Sequence, residues 1–493
     1  MTLRKSLIPS LPLWAWPFIY VILFMGLRLF LSPNLGTDDV EAAVFAQGWH
    51  LGYNPKQPPL YTWLLLSLYR IFGPSLLAHT LLRYGLLFLA FLGFGRCVRL
   101  LGISGDIRKL APLTFPLLFP IGWGAQLGFT HTLLLTAALF WLLAAFLAFT
   151  EKPSPFQALE LGIALAFGFM SKYNFILFPA SLALSALSLP KYRRALLHPY
   201  AFMAAFFAIL ACSPYIWWLA LHMPEPGANT ASPYMPPSLP IRGVALFDLV
   251  LSALSFLSPL ILLLPFMGRR FFIEPLPSPE ENPEQALLLR TILVSLSLLA
   301  GGIVLGFIPD VKARYLHPVL LPALPLILMR MAQVSPSQKA MRHFRNAGIF
   351  IIFFMALAII IQGLSEPRWC KNCRWHTNMP ALAQTIRQTD FPEGSIVAAD
   401  EHIAGNMRIL FPDARVWTPA YAKNLAWPEQ SPCLGIRRSM DNTGTSYNAT
   451  LPMLRYPQRK SHFAWIISPS CDADLLQWVT EPLPAPPPAK AGT

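Results

Sequence analysis

The chain has 493 residues, of which 55% are hydrophobic and only 13% are charged. A soluble protein of this length carries about a quarter charged residues, so the composition excludes an all-soluble fold and indicates a polytopic α-helical membrane protein. The formal net charge of +14 would suggest nucleic acid for a soluble domain. In a membrane chain Lys and Arg concentrate in cytoplasmic loops instead, so we expect no nucleic-acid partner.

The first apolar segment, residues 11–31, is long enough to cross a bilayer, and we interpret it as an uncleaved first helix. The segment after it holds three carboxylates within four residues: Asp38, Asp39 and Glu41. Carboxylates are costly beside a membrane, so this cluster indicates a functional site that opens at the lipid headgroups. The two aspartates could instead cap the helix that follows them, and capping does not exclude catalysis.

A rigid stretch rich in proline comes next and carries Lys56 and Tyr61. The apolar segment Leu60–Phe72 has only about 13 residues, which is too short to span, so we expect it to lie in the interface or dip into it. Residues 32–75 together form the predicted first outer loop.

Further apolar stretches of spanning length lie at about 76–98, 131–150, 198–221, 243–266, 290–308 and 347–364. Shorter ones lie at about 109–121, 157–171, 174–189 and 316–331. With the first helix these predict about eleven crossings.

The distribution of basic residues supports this count, because bases concentrate on the cytoplasmic side. With Arg4 and Lys5 inside, the other inside loops hold Arg96, Arg99, Arg108, Lys109, Lys191, Arg193, Arg194, Arg269, Arg270, Lys339, Arg342 and Arg345. The same topology places one set of polar residues on the outer side: Asp38, Asp39, Glu41, Lys56, His131, Lys172, His222, Asp310, Lys312 and Arg314. Groups that could do chemistry therefore share one predicted face.

The composition changes after the last predicted crossing, near Leu364, towards more charge and more turn residues. Residues 395–399, 415–417 and 463–467 are typical of strands, and residues 401–410 are typical of a helix. We predict a transmembrane module at 1–364, a small extracytoplasmic α/β domain at 365–480 and a disordered tail at 481–493.

Four of the six cysteines lie in this predicted outer domain: Cys370, Cys373, Cys433 and Cys471. An even number in an extracytoplasmic domain favours disulfides. Half a zinc site or free thiols are the alternatives. Pairing Cys370 with Cys373 and Cys433 with Cys471 is one hypothesis. Cys97 and Cys212 are isolated and are interpreted as packing residues.

The outward-facing residues suit group transfer at the membrane surface. A carboxylate can take a proton from an acceptor, and a second one can orient the acceptor or hold a divalent cation, so the need for a metal stays open. Basic residues neutralise an anionic leaving group such as a lipid phosphate, and we assign this role to Lys172, Lys312 and Arg314. Lys172 could instead snorkel, Lys312 and Arg314 could pair with Asp310, and His131 and His222 could be ordinary interfacial histidines.

Several of these segments resemble one family. They are Asp38-Asp39-x-Glu41, Gln47, Gly52-Tyr53, Lys56-Gln57-Pro58-Pro59-Leu60-Tyr61-x-Trp63, Arg83, Ser171-Lys172-Tyr173, Ser213-Pro214-Tyr215-x-Trp217 and Arg314-Tyr315-Leu316-x-Pro318. In their order and common face they resemble GT-C membrane glycosyltransferases, in particular the bacterial group similar to dolichyl-phosphate-mannose protein mannosyltransferases and aminoarabinose transferases. The resemblance covers most of residues 1–364.

The resemblance implies an inverting transfer of a sugar from a polyprenyl-phosphate donor to a glycolipid or protein acceptor, at the periplasmic face of a bacterial inner membrane. The family's catalytic base falls on Asp38. The position of its Glu partner holds Asp39, and where relatives often carry an Asp after the third crossing this chain reads Thr130-His131-Thr132. We expect Glu41, Lys56, Tyr61, Arg83, His131 and His222 to bind substrate.

Two other functions compete with the transferase hypothesis. A transporter or flippase of lipid-linked saccharides needs polar residues near the bilayer midplane and broken-helix repeats, and the sequence has neither pattern. A non-catalytic scaffold would leave the acidic first loop without a role.

Overall fold

The computed structural model describes residues 12, 14–222, 239–368, 373–389, 391, 394–421, 432–439 and 448–480. Contacts divide the chain into two compact units. The helical unit consists of Met1–Leu23, Pro55–Leu60 and Arg83–Ala356, and the sheet unit consists of Phe24–Asn54, Tyr61–Leu82 and Leu357–Thr493. Most of the predicted first outer loop therefore falls in one unit with the C-terminal segment. The predicted tail at 481–493 and Cys370 lie outside the described residues.

The described α-helices, in chain order, are α1 Ala15–Leu31, α2 Thr37–Phe45, α3 Leu60–Phe72, α4 Leu76–Leu100, α5 Gly105–Thr114, α6 Ala125–Leu127, α7 His131–Glu151, α8 Pro155–Phe169, α9 Leu177–Leu187, α10 Pro190–Leu196, α11 Pro199–His222, α12 Leu239–Leu257, α13 Leu260–Leu263, α14 Arg270–Ile273, α15 Pro283–Val304, α16 His317–Leu320, α17 Ala323–Val334, α18 Gln338–Ser365, α19 Met379–Arg387, α20 Glu401–Leu410 and α21 Ala473–Thr480.

Within the described part of the chain, six helical segments are long and apolar enough to cross a membrane: Leu76–Leu100, His131–Glu151, Pro199–His222, Pro283–Val304, His317–Val334 and Gln338–Ser365. A seventh is counted if the pair Tyr173–Leu187 and Pro190–Leu196, bent by 119°, forms one span. Shorter apolar helices lie at Ala15–Leu31, Leu60–Phe72 and Pro155–Phe169. The chain is a polytopic helical membrane protein, as its composition predicted.

The short apolar stretch expected at 109–121 is not one helix. Helix α5 ends at Thr114 and is followed by a 3-10 turn at Phe115–Leu117 and a π turn at Pro120–Gly124. Pro116 and Pro120 lack the N–H that a continuous helix needs, so the backbone leaves α-helical geometry here.

The core of the helical unit combines close backbone approach with aromatic packing. Helix α8 packs on α11 and on α7, and a Cβ at Gly162 would lie 2.6 Å from the carbonyl oxygen of Ala204. The ring of Phe115 lies 4.6 Å from that of Phe91 and 5.5 Å from that of Phe140, centroid to centroid. Edge-on rings at such distances stabilise a core beyond the area they bury.

The sheet unit contains a five-stranded sheet with the order β2-β1-β3-β5-β4. Its strands are β1 Ser395–Ala398, β2 Arg415–Trp417, β3 Cys433–Ser439, β4 Ala449–Met453 and β5 Tyr456–Ser468. β1 runs parallel to β2 and β3, whereas β5 runs antiparallel to β3 and β4. The strands predicted at 395–399, 415–417 and 463–467 and the helix predicted at 401–410 are confirmed.

Hydrogen bonds between residues far apart in sequence join the first loop to the C-terminal segment. Asn34 Nδ2 donates to the carbonyl of Thr377 (2.7 Å), and the backbone N–H of Leu35 donates to Asn406 Oδ1 (2.9 Å). The guanidinium of Arg455 donates to the carbonyl of Leu31 (2.9 Å), which the end of helix α1 leaves without a helical partner. These bonds explain why the loop and the C-terminal segment form one compact unit.

The predicted disulfide between Cys433 and Cys471 is present, in a buried cluster with Val397, Trp417 and Leu475. Cys373 is also disulfide-bonded. Cys97 and Cys212 are free and buried, as expected for packing residues.

Candidate functional site

The acidic residues of the first loop lie at the start of helix α2, with Asp38 and Asp39 in its first turn. Asp38 is half-buried there, whereas Asp39 is only 1% exposed. The backbone N–H of Gly36 donates to Asp39 Oδ2 (3.4 Å), and Asp39 Oδ1 lies 3.7 Å from His79 Nδ1. The two neighbouring aspartates are therefore unlike: Asp38 is partly open to solvent, and Asp39 is enclosed and fixes the start of the helix.

The Asp39–His79 contact continues inward, because the other ring nitrogen of His79 hydrogen-bonds the hydroxyl of Tyr69. Both residues are buried. Since buried polar groups are costly unless they are paired, this chain of three side chains fixes α2 against α3 and α4 within the sheet unit.

Glu41 is half-buried and lies beside Tyr421. Burial, together with the carboxylates of Glu41 and Glu401, raises the pKa of Tyr421. The ring of Tyr421 also lies 4.6 Å from that of Phe45. Glu41 thus lies beside a neutral phenol that can donate a hydrogen bond to a carboxylate.

The basic residues predicted to bind phosphate lie in the helical unit. Lys172 has extended backbone just before the 3-10 turn Tyr173–Ile176, and its Nζ donates to Thr132 Oγ1 (3.1 Å). The same ammonium lies 5.8 Å from the ring centroid of Tyr315. The guanidinium of Arg314 lies 5.3 Å from that ring, so Tyr315 contacts two cations.

Lys312 and Arg314 are exposed and line a cavity of about 470 Å³. The remaining lining residues are mostly apolar: Phe119, Pro120, Gly124, Phe129 and Ala313. Lys312 also pairs with Asp310 (3.3 Å), the pairing that was one alternative for this lysine. An apolar cavity edged by two cations suits a ligand with a hydrocarbon part and an anionic head.

The other predicted site residues differ in environment. His131 begins α7, and its Nδ1 lies 3.3 Å from the carbonyl oxygen of Ser171, next to Lys172. Lys56 is exposed, whereas Tyr61 and Arg83 are buried. His222 bonds the carbonyl of Trp218 one helical turn back (2.8 Å) and stacks on its ring, so its contacts are local to α11.

Several polar residues beside Lys172 were not predicted as site residues. Asn174 Nδ2 donates to the carbonyl of Tyr315 (3.2 Å), and the hydroxyl of Tyr173 bonds the hydroxyl of Tyr215 and the carbonyl of Pro55. Tyr173, Tyr215 and Tyr315 stand in the quoted motifs, so their position in the motifs was a usable signal. Their contacts depend on tertiary packing that the sequence does not display.

In the described ranges, no group of three or more His, Cys, Asp or Glu side chains is arranged to hold a metal ion.

Comparisons with known proteins bear on this arrangement. Residues 56–218 match the family described as dolichyl-phosphate-mannose-protein mannosyltransferase. The chain is 26% identical over 447 residues to the lipopolysaccharide core galacturonosyltransferase RgtA of Rhizobium johnstonii, covering 88% of this chain and 87% of that protein. The galacturonosyltransferase RgtB of the same organism is 26% identical over 430 residues, covering 85% of this chain and 84% of that protein.

Among solved structures, the chain resembles ArnT from Cupriavidus metallidurans, bound to undecaprenyl phosphate, with a TM-score of 0.60 and 12% identity. The match covers 91% of this chain and 98% of that one. At this identity the likeness establishes the fold alone. The family match over part of the chain and the two Rhizobium relatives confirm the activity predicted from the motifs, that of a membrane glycosyltransferase. The ArnT likeness shows a fold of the GT-C type.

Proposed function

We propose that the chain transfers a galacturonosyl-type sugar from a polyprenyl phosphate to a lipopolysaccharide core acceptor, at the periplasmic face of the inner membrane. The names of the two Rhizobium relatives favour this sugar and this acceptor. The matched family uses a polyprenyl-type phosphate donor by its description. The chain of similar fold was solved with undecaprenyl phosphate bound.

We assign the donor phosphate to this region because Lys172 and Arg314 both contact the ring of Tyr315. Arg314 and Lys312 also line the neighbouring cavity. A leaving polyprenyl phosphate gains negative charge as its bond to the sugar breaks. Cations placed in advance stabilise that charge without reorganising during the reaction. The planar guanidinium of Arg314 can contact two phosphate oxygens, and the apolar part of the cavity suits the first isoprene units.

In the proposed reaction an acceptor hydroxyl attacks the anomeric carbon of the sugar and inverts its configuration. The bond between that carbon and the phosphate oxygen breaks, and polyprenyl phosphate leaves. Asp38 accepts the proton of the attacking hydroxyl. We assign the base to Asp38 rather than Asp39 because a base must reach substrate, and Asp39 is enclosed.

The remaining predicted site residues differ in their exposure to solvent. Glu41, Lys56 and His131 are accessible enough to bind substrate directly, and His222 is exposed at the end of α11. Tyr61 and Arg83 are buried, so their proposed contribution to binding is to hold the backbone around them.

The proposed topology has eleven crossings, with the basic loops in the cytoplasm and the sheet-bearing C-terminal domain in the periplasm. Labelling of single cysteines introduced at Thr37, Tyr173 and Ala313 tests it. All three must react with a membrane-impermeant thiol reagent from the periplasmic side.

The direct test uses the full chain in lipid nanodiscs with polyprenyl-phosphate galacturonic acid and a lipopolysaccharide core acceptor. We expect release of free polyprenyl phosphate together with a mass gain of one sugar in the acceptor. Movement of intact lipid-linked sugar across the bilayer, with neither product formed, would identify a flippase instead.

A further inference from the structure

Arg374, in the C-terminal segment, contacts the first residue of helix α2. Nη1 of Arg374 lies 3.3 Å from the hydroxyl oxygen of Thr37, the residue that precedes Asp38. Arg374 is half-buried. Its backbone carbonyl is fixed by Asn34 Nδ2 (3.0 Å), so the turn that carries it is anchored to the first loop.

A second arginine approaches the same turn from strand β3. Arg438 donates from Nη1 to Thr377 Oγ1 (3.0 Å), and its Nε lies 3.4 Å from Asp400 Oδ2. Burial lowers the pKa of Arg438, and the positive charge of Arg374 lowers it further against the opposing effect of Asp400. The two arginines therefore meet at one turn, residues 374–377: Arg374 belongs to it, and Arg438 bonds Thr377.

Asp400 is the carboxylate that pairs with Arg438, and none of the described carboxylates forms an ion pair with Arg374. The neighbouring His402 is 2% exposed and adds no negative charge. Holding two guanidinium groups together is unfavourable unless an anion joins them. The guanidinium of Arg374 lies beside Thr37, one residue from the proposed base.

We propose that Arg374 and Arg438 bind a carboxylate of the saccharide that reacts at Asp38, and so give the C-terminal domain a role in substrate selection. This inference rests on the proposed transferase function. The guanidinium fork matches a carboxylate with two parallel hydrogen bonds. A sugar carboxylate can come from the galacturonosyl donor or from an acidic sugar of the acceptor, and both present the same chemistry to the two arginines.

The test compares Arg374→Gln and Arg438→Gln with Arg415→Gln, a matched control at an exposed position of strand β2 in the same unit. Each protein is assayed in nanodiscs with two donors, polyprenyl-phosphate galacturonic acid and polyprenyl-phosphate galactose. It is also assayed with two acceptors, a core glycolipid with its sugar carboxylates intact and the same glycolipid with them reduced to alcohols. The ratio of KM values for acidic and neutral substrate does not depend on how much of a variant is folded.

Loss of a charge-assisted bidentate contact should raise KM for the carboxylated substrate by about 10- to 100-fold. Arg374→Gln should have no effect on KM for the matching neutral substrate, and Arg374→Lys should recover part of the loss. If the effect on KM disappears with the galactose donor, the donor carries the bound carboxylate. If it disappears with the reduced acceptor, the acceptor carries it.

Two results would overturn the inference. One is that Arg374→Gln and Arg438→Gln behave like Arg415→Gln with every substrate. The other is that they lose activity equally with acidic and neutral substrates, as a purely structural role would require. Both results require that the wild-type protein transfers sugar. If the wild type transfers none, the proposed function fails instead, so the two failures can be told apart.

Discussion

The side-chain amide of Gln47 pairs with the backbone of Val416 through two hydrogen bonds. Nε2 of Gln47 donates to the carbonyl of Val416 (2.7 Å), and the N–H of Val416 donates to Oε1 of Gln47 (2.7 Å). Val416 lies in β2, an edge strand of the sheet. The amide of Gln47 therefore takes the hydrogen-bonding position of a neighbouring strand and joins residue 47 to the C-terminal segment.

Replacing Gln47 by Leu should lower the free energy of unfolding of the sheet unit by about 2–3 kcal/mol, because it leaves a backbone donor and a backbone acceptor unpaired. Thermal unfolding in nanodiscs measures the change. Gln384→Leu, at an exposed position of α19, is the matched control and should change stability little. Equal melting temperatures for the two variants would contradict this role of Gln47.

Gly405 allows helix α20 to lie against α2. A Cβ at this position would lie 2.4 Å from Cα of Val40, a backbone atom that cannot move without moving the acidic loop. Gly405→Ala should therefore cost about 1–3 kcal/mol of stability and reduce transfer. Gly85→Ala is the control, since nothing lies within 4 Å of its Cβ position. Alanine is a better helix former than glycine, so that variant should be neutral or slightly stabilised. Full transfer activity in Gly405→Ala would show that the loop tolerates displacement.

Features encoded locally could be predicted from the sequence. The long apolar helices and the strand at 395–399 follow from composition and short-range pattern. The number of cysteines and their predicted compartment favoured disulfides, and the pairing of Cys433 with Cys471, one hypothesis among the possible pairings, is confirmed. The association of residues 32–54 with the C-terminal segment could not be predicted, because it depends on single side chains such as Gln47 bonding partners 369 residues away. Such a contact produces no periodic pattern of apolar residues in the sequence.

For the candidate site, the sequence supplies a reason to propose Asp38 and Lys172, because charge is rare at a membrane surface. The difference in burial between Asp38 and Asp39 could not be predicted, because the two residues are adjacent in one short polar segment. Tyr315 stood in a quoted motif, but its contact with two cations depends on how Lys172 and Arg314 approach its ring.

The Cys433–Cys471 disulfide closes a segment with a sequence separation of 38 residues. In the chain-entropy view, replacing both cysteines by Ser should destabilise the sheet unit by about 4 kcal/mol. Reductant should lower the melting temperature of the wild type by more than that of the Ser variant, which keeps the disulfide of Cys373. Cys212→Ala, which alters a free buried thiol, controls for loss of a sulfur atom. A wild-type melting temperature that does not respond to reductant would count against a structural role of this disulfide.

Replacing Lys172 by Met keeps an unbranched side chain, one atom shorter, and removes its charge. Loss of one charge-assisted contact to the donor phosphate should raise the donor KM by about 10- to 100-fold. The contact with Thr132 is also lost, so Lys172→Arg, which keeps a cation, separates the two effects. Lys152→Met, at an exposed position after α7, is the matched control. Steady-state kinetics with varied polyprenyl-phosphate sugar measure the change. An unchanged donor KM in Lys172→Met would remove this lysine from the phosphate site.

Asp38 and Asp39 should respond differently to the same change. Asp38→Asn removes the proposed base and should lower kcat by about 100- to 10,000-fold, with little change in melting temperature because the side chain is only half-buried. Asp39→Asn weakens the bond from the N–H of Gly36 and the contact with His79, and should cost about 1–2 kcal/mol of stability. Each variant is the control for the other, because both are Asp→Asn changes in one turn of α2. Turnover and thermal unfolding of the two proteins decide the assignment: a larger loss of kcat in Asp39→Asn than in Asp38→Asn would move the base to the enclosed carboxylate.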